Sequence, residues 1–489
     1  MIYRSQQNHR RKDGFIIIQS IVFASIAVLI MGALVSWAGS NIKLSRRSQH
    51  SEQAIQIAEA GIDYYRWHLA HAPQDYQDGT GQAGPYTHTF EDKDNNTIGN
   101  FVLTITAPPT GTTLVKISSV GNVDADPNAS RTIESKLAIA SFAKYAFVSN
   151  SNMRFGAGTE VFGPMHSNGG IRFDGLAHNV ITSAQSKYID TDVSSTNYQM
   201  GVYTSVSPSE QNNDTTPPVT LPSRPDVFIA GRQLSVPAVD FTGLTSNLAQ
   251  IKTSAQSASG KYYAGSGALG YKIVLKTNDK FDIYKVNTIV AAPNNCTNSQ
   301  SQTGWGTWSI NTTTLVTSNV PFPTNGLIFV EDNLWVEGTI NGARLTIASG
   351  KFPDNSATRT SITVNNDLMY TNYDGQDVLS LIAQKDINVG LVSDTDLRID
   401  AALIAQNGRI GRYYYGTSCK TGSNNWYIRN SIILYGMLGT YGRYGFAYTD
   451  NTGYITRQII YDANLLYGPP PSFPLTSDQY TILSWEEIE

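Results

Sequence analysis

The sequence predicts a mainly β protein that begins with a long α-helix: an α+β stem and head, then a parallel β-helix carrying an inserted lobe. Three observations predict this. An uncharged apolar run near the N-terminus passes into a stretch with helical periodicity. The 489 residues are only 15% charged and rich in Gly, Asn, Ser, Thr and Tyr, which favours extended structure over helical bundles. Short apolar runs recur through the second half at intervals near twenty residues.

Residues 1–14 form a leader carrying Arg4, Arg10, Arg11 and Lys12 against Asp13, and no charge follows from Gly14 to Ile42. As a helix, Phe15 to Ala38 would extend ~36 Å, more than the ~30 Å of bilayer hydrocarbon. Backbone groups in lipid must pair internally, so a single span is helical, and the basic leader stays cytoplasmic with the rest outside. Lys43, Arg46 and Arg47 oppose that orientation but are outweighed by the leader. A cleavable secretory signal fits poorly, because its apolar core is ~7–15 residues and ends at a small-residue site, unlike SWAGSNIKLSRRS. The helix continues to residue 72. Ile55, Ala58, Ile62, Tyr65, Leu69 and Ala72 recur at spacings of three and four, with Glu52, Gln56, Glu59, Asp63 and Arg66 largely off that stripe. Pro73 stops it, and Gly61, costing ~1 kcal/mol relative to alanine, marks close packing or a bend.

Basic leader, Gly14, Phe15 and apolar helix together resemble the class III leader of type IV pilins and type II secretion pseudopilins. IQIAEAGIDYYRWHLA, residues 55–70, resembles the AEAG-type segment of large PilX-type pilin-like proteins. The resemblance covers roughly the first 70 residues. It implies that a membrane prepilin peptidase cuts after Gly14 and that Phe15 becomes an N-methylated terminus. It also implies that the helix lies in inner-membrane lipid before packing against other pilins or minor pilins. One residue departs from the pattern. Gln19 occupies the fifth mature position, where most such proteins carry a glutamate that pairs with a neighbour's terminal amine; members lacking it tend to be minor components, one of them at the tip.

Residues 73–144 read as a small antiparallel head, from the alternating segments FVLTITA, TLVKISSV and TIESKLAIAS. Residues 145–182 and 323–450 read as β-helix rungs, with Ile362, Ile382 and Ile404 taken as equivalent positions 20 and 22 residues apart. A β-sandwich has similar strand spacing. Between them, residues 183–322 read as the inserted lobe, with a Pro-rich stretch, an amphipathic segment from Phe241 and a hairpin turning at Asn278-Asp279. Residues 451–489 read as a strap folding back over the solenoid's end.

The search for chemistry is mostly negative. A net charge of -4 offers no nucleic-acid footprint. All seven histidines lie at or before His178, so the later rungs lack the usual base of a nucleophile triad, and no HExxH or P-loop spacing occurs. Gly265, Gly267 and Gly270 form a GxGxxG string, but the strand-like YKIVLK follows where a phosphate site needs a helix. His166 fits a turn as well as a site, and His68 and His71 lack a third ligand. Asp92, Asp94 and Asn96 alternate like the first ligands of a calcium loop, as do Asp124, Asp126 and Asn128, although turns use the same residues. Calcium is thus the sole cofactor candidate. Asp386, Asp394, Asp396, Arg398 and Asp400 could serve glycan chemistry or merely form polar corners. Tyrosines 413–415, Trp426, Tyr427, Tyr435, Tyr441, Tyr444 and Tyr448 could stack on sugars or a partner, or cap the solenoid. Cys296 and Cys419, the only cysteines, sit in polar loops facing an oxidising exterior and are expected to form a disulfide.

The sequence thus points to a non-enzymatic, single-pass minor pilin-like component of a type IV pilus or related secretion filament. It would present a large body at the tip or cell surface for adhesion or assembly initiation, with a surface glycan or protein as receptor. The alternative is a single-span adhesin or glycan-active protein outside any filament.

Overall fold

The computed structural model describes residues 13–108, 113–139, 141–214, 216, 220–475 and 479–488, so the leader up to Lys12 lies outside the described residues. The chain is mainly β with one long N-terminal helix, and it divides into two compact units.

In the first unit, α1 spans Asp13–His71, a length of ~88 Å at 1.5 Å per residue. Its second half covers a sheet of β1 (Tyr86–Glu91), β2 (Thr97–Thr106), β3 (Val115–Val123) and β4 (Asp126–Ala138), paired antiparallel in sequence order. Alternate β3 residues Val115, Ile117, Ser119, Gly121 and Val123 are buried, the period of a strand with one covered face. Opposite them α1 buries Ala54, Ile57, Ala58, Gly61, Ile62, Tyr65 and Leu69, while Ile55 and Ala72, expected on the stripe, are only partly covered. Glycine explains the closeness. A Cβ on Gly61 would stand 2.3 Å from Ser119 Oγ, and one on Gly121 2.1 Å from the carbonyl oxygen of Ala54.

The sheet has a fifth strand that sequence reasoning placed elsewhere. Thr481–Ile488 lies beside β4, so the chain's end completes the head sheet instead of strapping a solenoid. Ser135 Oγ donates to the carbonyl of Ser484 at 2.9 Å, and Arg131 pairs with Glu487, so numbers fall along one strand as they rise along the other. The physical reason is the edge: β4 would otherwise present unpaired backbone groups. Residues 138–481 are therefore an insertion between two neighbouring strands of one sheet.

The second unit is built on parallel ladders. One aligns Ile328, Ile347, Leu381, Leu403, Leu438, Phe147, Met165 and Ile181, all buried. A second aligns Leu368, Ile399, Leu434, Ile459, Val161 and Ala177. A third aligns Leu334, Ile362, Ile387 and Ile410, and Met153, Ile171 and Val202 align in the same manner. Ile382 and Ile404 pair as expected, but Ile362 belongs to another ladder, facing Ile387. A period near twenty cannot say which ladder a residue joins when each circuit of chain contributes to several.

The ladder order is not the chain order. The stack begins at its middle, since Phe147–Ser149 pairs with Leu438 to Thr440, and the two runs meet there without a covalent link. Residues 183–322 are less separate than a lobe: Arg232–Gln233 extends one end of the stack beyond Ile181, and Lys261–Tyr263 extends the other beyond Ile328. Between them α2 (Thr242–Ala255) packs Leu248, Ile251 and Ala255 with Phe329, Ala348, Ile382, Ile404 and Val148. These strands are thus buried on both faces, which is why they read as continuous apolar runs. Residues 453–461, assigned to the strap, form another parallel strand. An antiparallel arm completes the unit: Gly270–Lys276, Lys280–Ile289 and Ile310–Pro321, the first turn passing through Asp279 at φ +57°.

Candidate functional site

The two halves of α1 differ in what covers them. From Ile16 to Leu44 the large apolar side chains stand exposed, Phe23 to 67% and Leu29 to 73%. Within this half an 18-residue window has mean hydropathy 2.4 and nothing in it is buried, so the helix is long and apolar enough to cross a membrane. Its polar groups suit an apolar medium. Ser20 Oγ donates to the carbonyl of Ile16 at 2.9 Å and Ser25 Oγ to that of Val22 at 2.8 Å, so both hydroxyls are satisfied within the helix. Gln19 is exposed among them, a neutral amide that costs less to bury than a carboxylate. Gly14 and Phe15 belong to the helix's first turn by backbone.

The other sequence candidates fall apart as sites. Asp92 Oδ1 accepts the backbone N–H of Asp94 at 2.8 Å and of Asn96 at 2.9 Å, closing the β1–β2 turn. These bonds, the Asn96 amide first, hold its carboxyl below the usual range. Asp126 accepts from the Asn128 amide. Among the described residues, no three or more His, Cys, Asp or Glu groups are placed to hold a metal ion. His68 Nε2 lies 3.0 Å from Asp75 Oδ2, whereas His71 Nδ1 bonds the carbonyl of Trp67. His166 is fully buried between Thr182 Oγ1 at 2.9 Å and Asn168 Oδ1 at 3.1 Å, and burial lowers its pKa.

The carboxylates at 386–400 are each bound to a neighbouring strand or turn. Asp386 accepts the Arg409 amide, Asp394 the Asp367 amide, and Asp396 the side chains of Asn430 and Ser431. Asp400 accepts Tyr370 N–H at 3.0 Å, Tyr373 OH at 2.7 Å and Arg398 Nε at 2.8 Å, and burial pushes its carboxyl up. They do not converge on a shared space. Tyr413 and Tyr415 are core residues beside the bonded pair Cys296 and Cys419, and Tyr444 is buried too; of the tyrosines singled out, Tyr441 is the exposed one, at 47%.

Sequence reasoning missed one feature of the second unit. An open groove of about 1510 Å³ is lined by Arg154, Arg409, Arg443 and Arg457, with Asp174 and Asp192 as its acids and no histidine, lysine or cysteine. Asp192 takes a two-pronged bond from Arg443 and faces Arg154 at 3.5 Å. Arg457 is held by carbonyls, including those of Tyr454 and Ile455, and Arg409 lies 4.4 Å over the Tyr413 ring. The groove offers hydrogen-bond donors and positive charge, but no nucleophile with a base. Its walls come from residues some 300 positions apart, so no local signal could have found it.

No protein-family model matches the sequence, and no curated protein matches it. Among solved structures the chain is similar to the crystal structure of the competence-associated pilin ComZ from Thermus thermophilus. Identity is 11%, the match covers 90% of this chain and 98% of that one, and the TM-score is 0.30.

Proposed function

We propose that this protein is a minor pilin-like component of a type IV pilus or related secretion filament, with a structural and not an enzymatic role. The single observation that carries the reading is α1 itself: one continuous helix, apolar and uncovered from Ile16 to Leu44, then anchored under a sheet from Ala54 to Leu69. Such a helix needs lipid before assembly and neighbouring pilin helices after it. The basic leader keeps the N-terminus cytoplasmic and the body outside. A prepilin peptidase removes residues 1–14, and Phe15 becomes the N-methylated terminus. With Gln19 in place of the usual acid, the chain is a rare subunit at a tip or filament surface. The parallel ladders form the rungs of a β-helix that is the presented body, for adhesion to a surface glycan or protein or for initiating assembly. Bound carboxylates and the absence of histidine beyond His178 support the structural role.

Mass spectrometry of the N-terminal peptide tests the reading. A mature start at methylated Phe15, with the protein in sheared filaments and immunogold against residues 326–440 confined to rare positions, is the expected result. An intact Met1, a cut near Ala38, or recovery in membranes alone overturns it in favour of a single-span surface adhesin or glycan-active protein.

A further inference from the structure

We propose that the open groove of the second unit binds a sparsely charged acidic polysaccharide, a chain of sugars only some of which carry a carboxylate. The proposal names a ligand for the presented body, yet it stands on the groove alone and does not need the chain to enter a filament. At about 1510 Å³ the groove exceeds the ~300–1,000 Å³ of a small-molecule pocket, so its occupant is extended. Its charge is opposite to that of the chain. In a protein of net charge -4, the lining sets four arginines against Asp174 and Asp192. Asp174 is already paired at 2.8 Å with Arg172, which is not part of the lining.

The arginines divide by what they still have to offer. Arg457 commits its guanidinium to Thr159 Oγ1 and to the carbonyls of Gly156, Ala157, Tyr454 and Ile455, and Arg443 grips Asp192 with two nitrogens. Arg154 meets Asp192 only across 3.5 Å. Arg409 donates from Nη1 to the carbonyl of Arg412 at 3.3 Å and leaves Nη2 buried with no hydrogen-bond partner. An unpaired buried guanidinium nitrogen is costly, and a carboxylate is the group whose two oxygens match the fork. Around these cations the wall is neutral. Gln300, Thr303, Thr449 and Asn451 are exposed hydroxyls and amides, and Ile455, 53% open, gives an apolar face for the C–H groups of a sugar ring. Two guanidinium groups with donors to spare amid neutral hydrogen-bonding side chains suit a ligand of many hydroxyls and few charges. A nucleic acid strand, charged at every nucleotide, needs a row of cations and open aromatic platforms. Here the lining has no lysine, and its rings are buried apart from half-covered Tyr448.

The test is calorimetric titration of the full-length protein in detergent micelles with a hyaluronan hexasaccharide, in which carboxylate-bearing and neutral sugars alternate. The comparison ligands are the same hexasaccharide with its carboxylates reduced to alcohols and a six-nucleotide thymidine strand. The acidic sugar should bind at least tenfold more tightly than either, and less tightly as salt rises. Arg409→Gln should weaken it at least tenfold. Arg154→Gln, at a side chain that is partly open to solvent, should do the same and keeps the test decisive where the first variant fails to fold. Lys93→Gln, on the β1–β2 turn of the other unit, should change nothing. Equal binding of the reduced sugar, tighter binding of the thymidine strand, no binding of the acidic sugar, or full affinity in either folded arginine variant overturns the proposal. None of these results bears on the N-terminal mass that tests the filament reading, so the two fail separately.

Discussion

Replacing Gly121 with alanine should loosen α1 from its sheet more than replacing Gly61. The added Cβ at 121 would lie 2.1 Å from Ala54 O and 2.5 Å from Ala58 N, both backbone atoms of a helix that cannot rotate out of the way. The helix must withdraw by about 1 Å along its buried stripe; inserted methyl groups in packed interiors cost ~1–3 kcal/mol, and a backbone obstacle puts this change near ~3 kcal/mol. At Gly61 the obstacles are Ser119 Oγ at 2.3 Å and the Phe101 ring at 2.9 Å, side chains able to shift. Alanine there also regains ~1 kcal/mol of helix propensity, so its net cost should be nearer ~1 kcal/mol. Hydrogen exchange of peptides covering residues 54–69 in the full-length protein reads both, since ~1.4 kcal/mol is tenfold in opening. Gly121→Ala should speed exchange about a hundredfold and Gly61→Ala about fivefold to tenfold, on the same scale. A Gly121→Ala helix that exchanges like wild type, or the reverse ranking, would refute the packing argument.

Three other perturbations follow from the fold. Cys419→Ser opens a loop of 123 residues and should lower stability of the second unit by up to ~4–5 kcal/mol; reductant should lower the melting temperature of wild type and leave the variant's unchanged. His166 has its pKa depressed by burial, so its contribution is present above its unfolded value near ~6.5 and is lost as pH falls from there through the folded value. Denaturant midpoints between pH 7 and 5 should therefore fall further for wild type than for His166→Gln, and parallel curves would exclude the assignment. Ending the chain at Tyr480 leaves β4 as a bare edge and removes the Ser135 and Arg131 partners, so β4 amides should exchange faster and the protein should self-associate on gel filtration.

What the sequence disclosed was what depends on near neighbours. The apolar run and the three-and-four spacing from Ala54 to Leu69 are properties of one helix, and both halves of α1 were legible. The hairpin at Asp279 was legible for the same reason, because a two-residue turn announces itself locally. Ladder membership was not. Leu438 faces Phe147 across 291 positions, and an apolar residue of a parallel strand suits any ladder equally, so Ile362 was aligned with the wrong partners. The last strand was misplaced because TILSWEEI carries the alternation of any strand and no mark of the sheet it completes. At the candidate sites, the 386–400 carboxylates looked like a cluster in sequence, yet Asp386 and Asp400 serve different ladders. Arg412, fully buried with its guanidinium held by the carbonyls of Gly390, Leu391 and Trp426, resembles any surface arginine when read in sequence.

Because residues 138–481 interrupt one sheet, synthesis imposes an order on assembly. The ribosome delivers α1 and four strands first, then the inserted body, and only after it the strand that joins β4. A head sheet with its fifth strand in place is therefore one for which synthesis has passed residue 488. A chain stopped before residue 481 would carry the same apolar helix but an open β4 edge. The edge of β4 therefore stays unpaired for as long as the inserted body is being made.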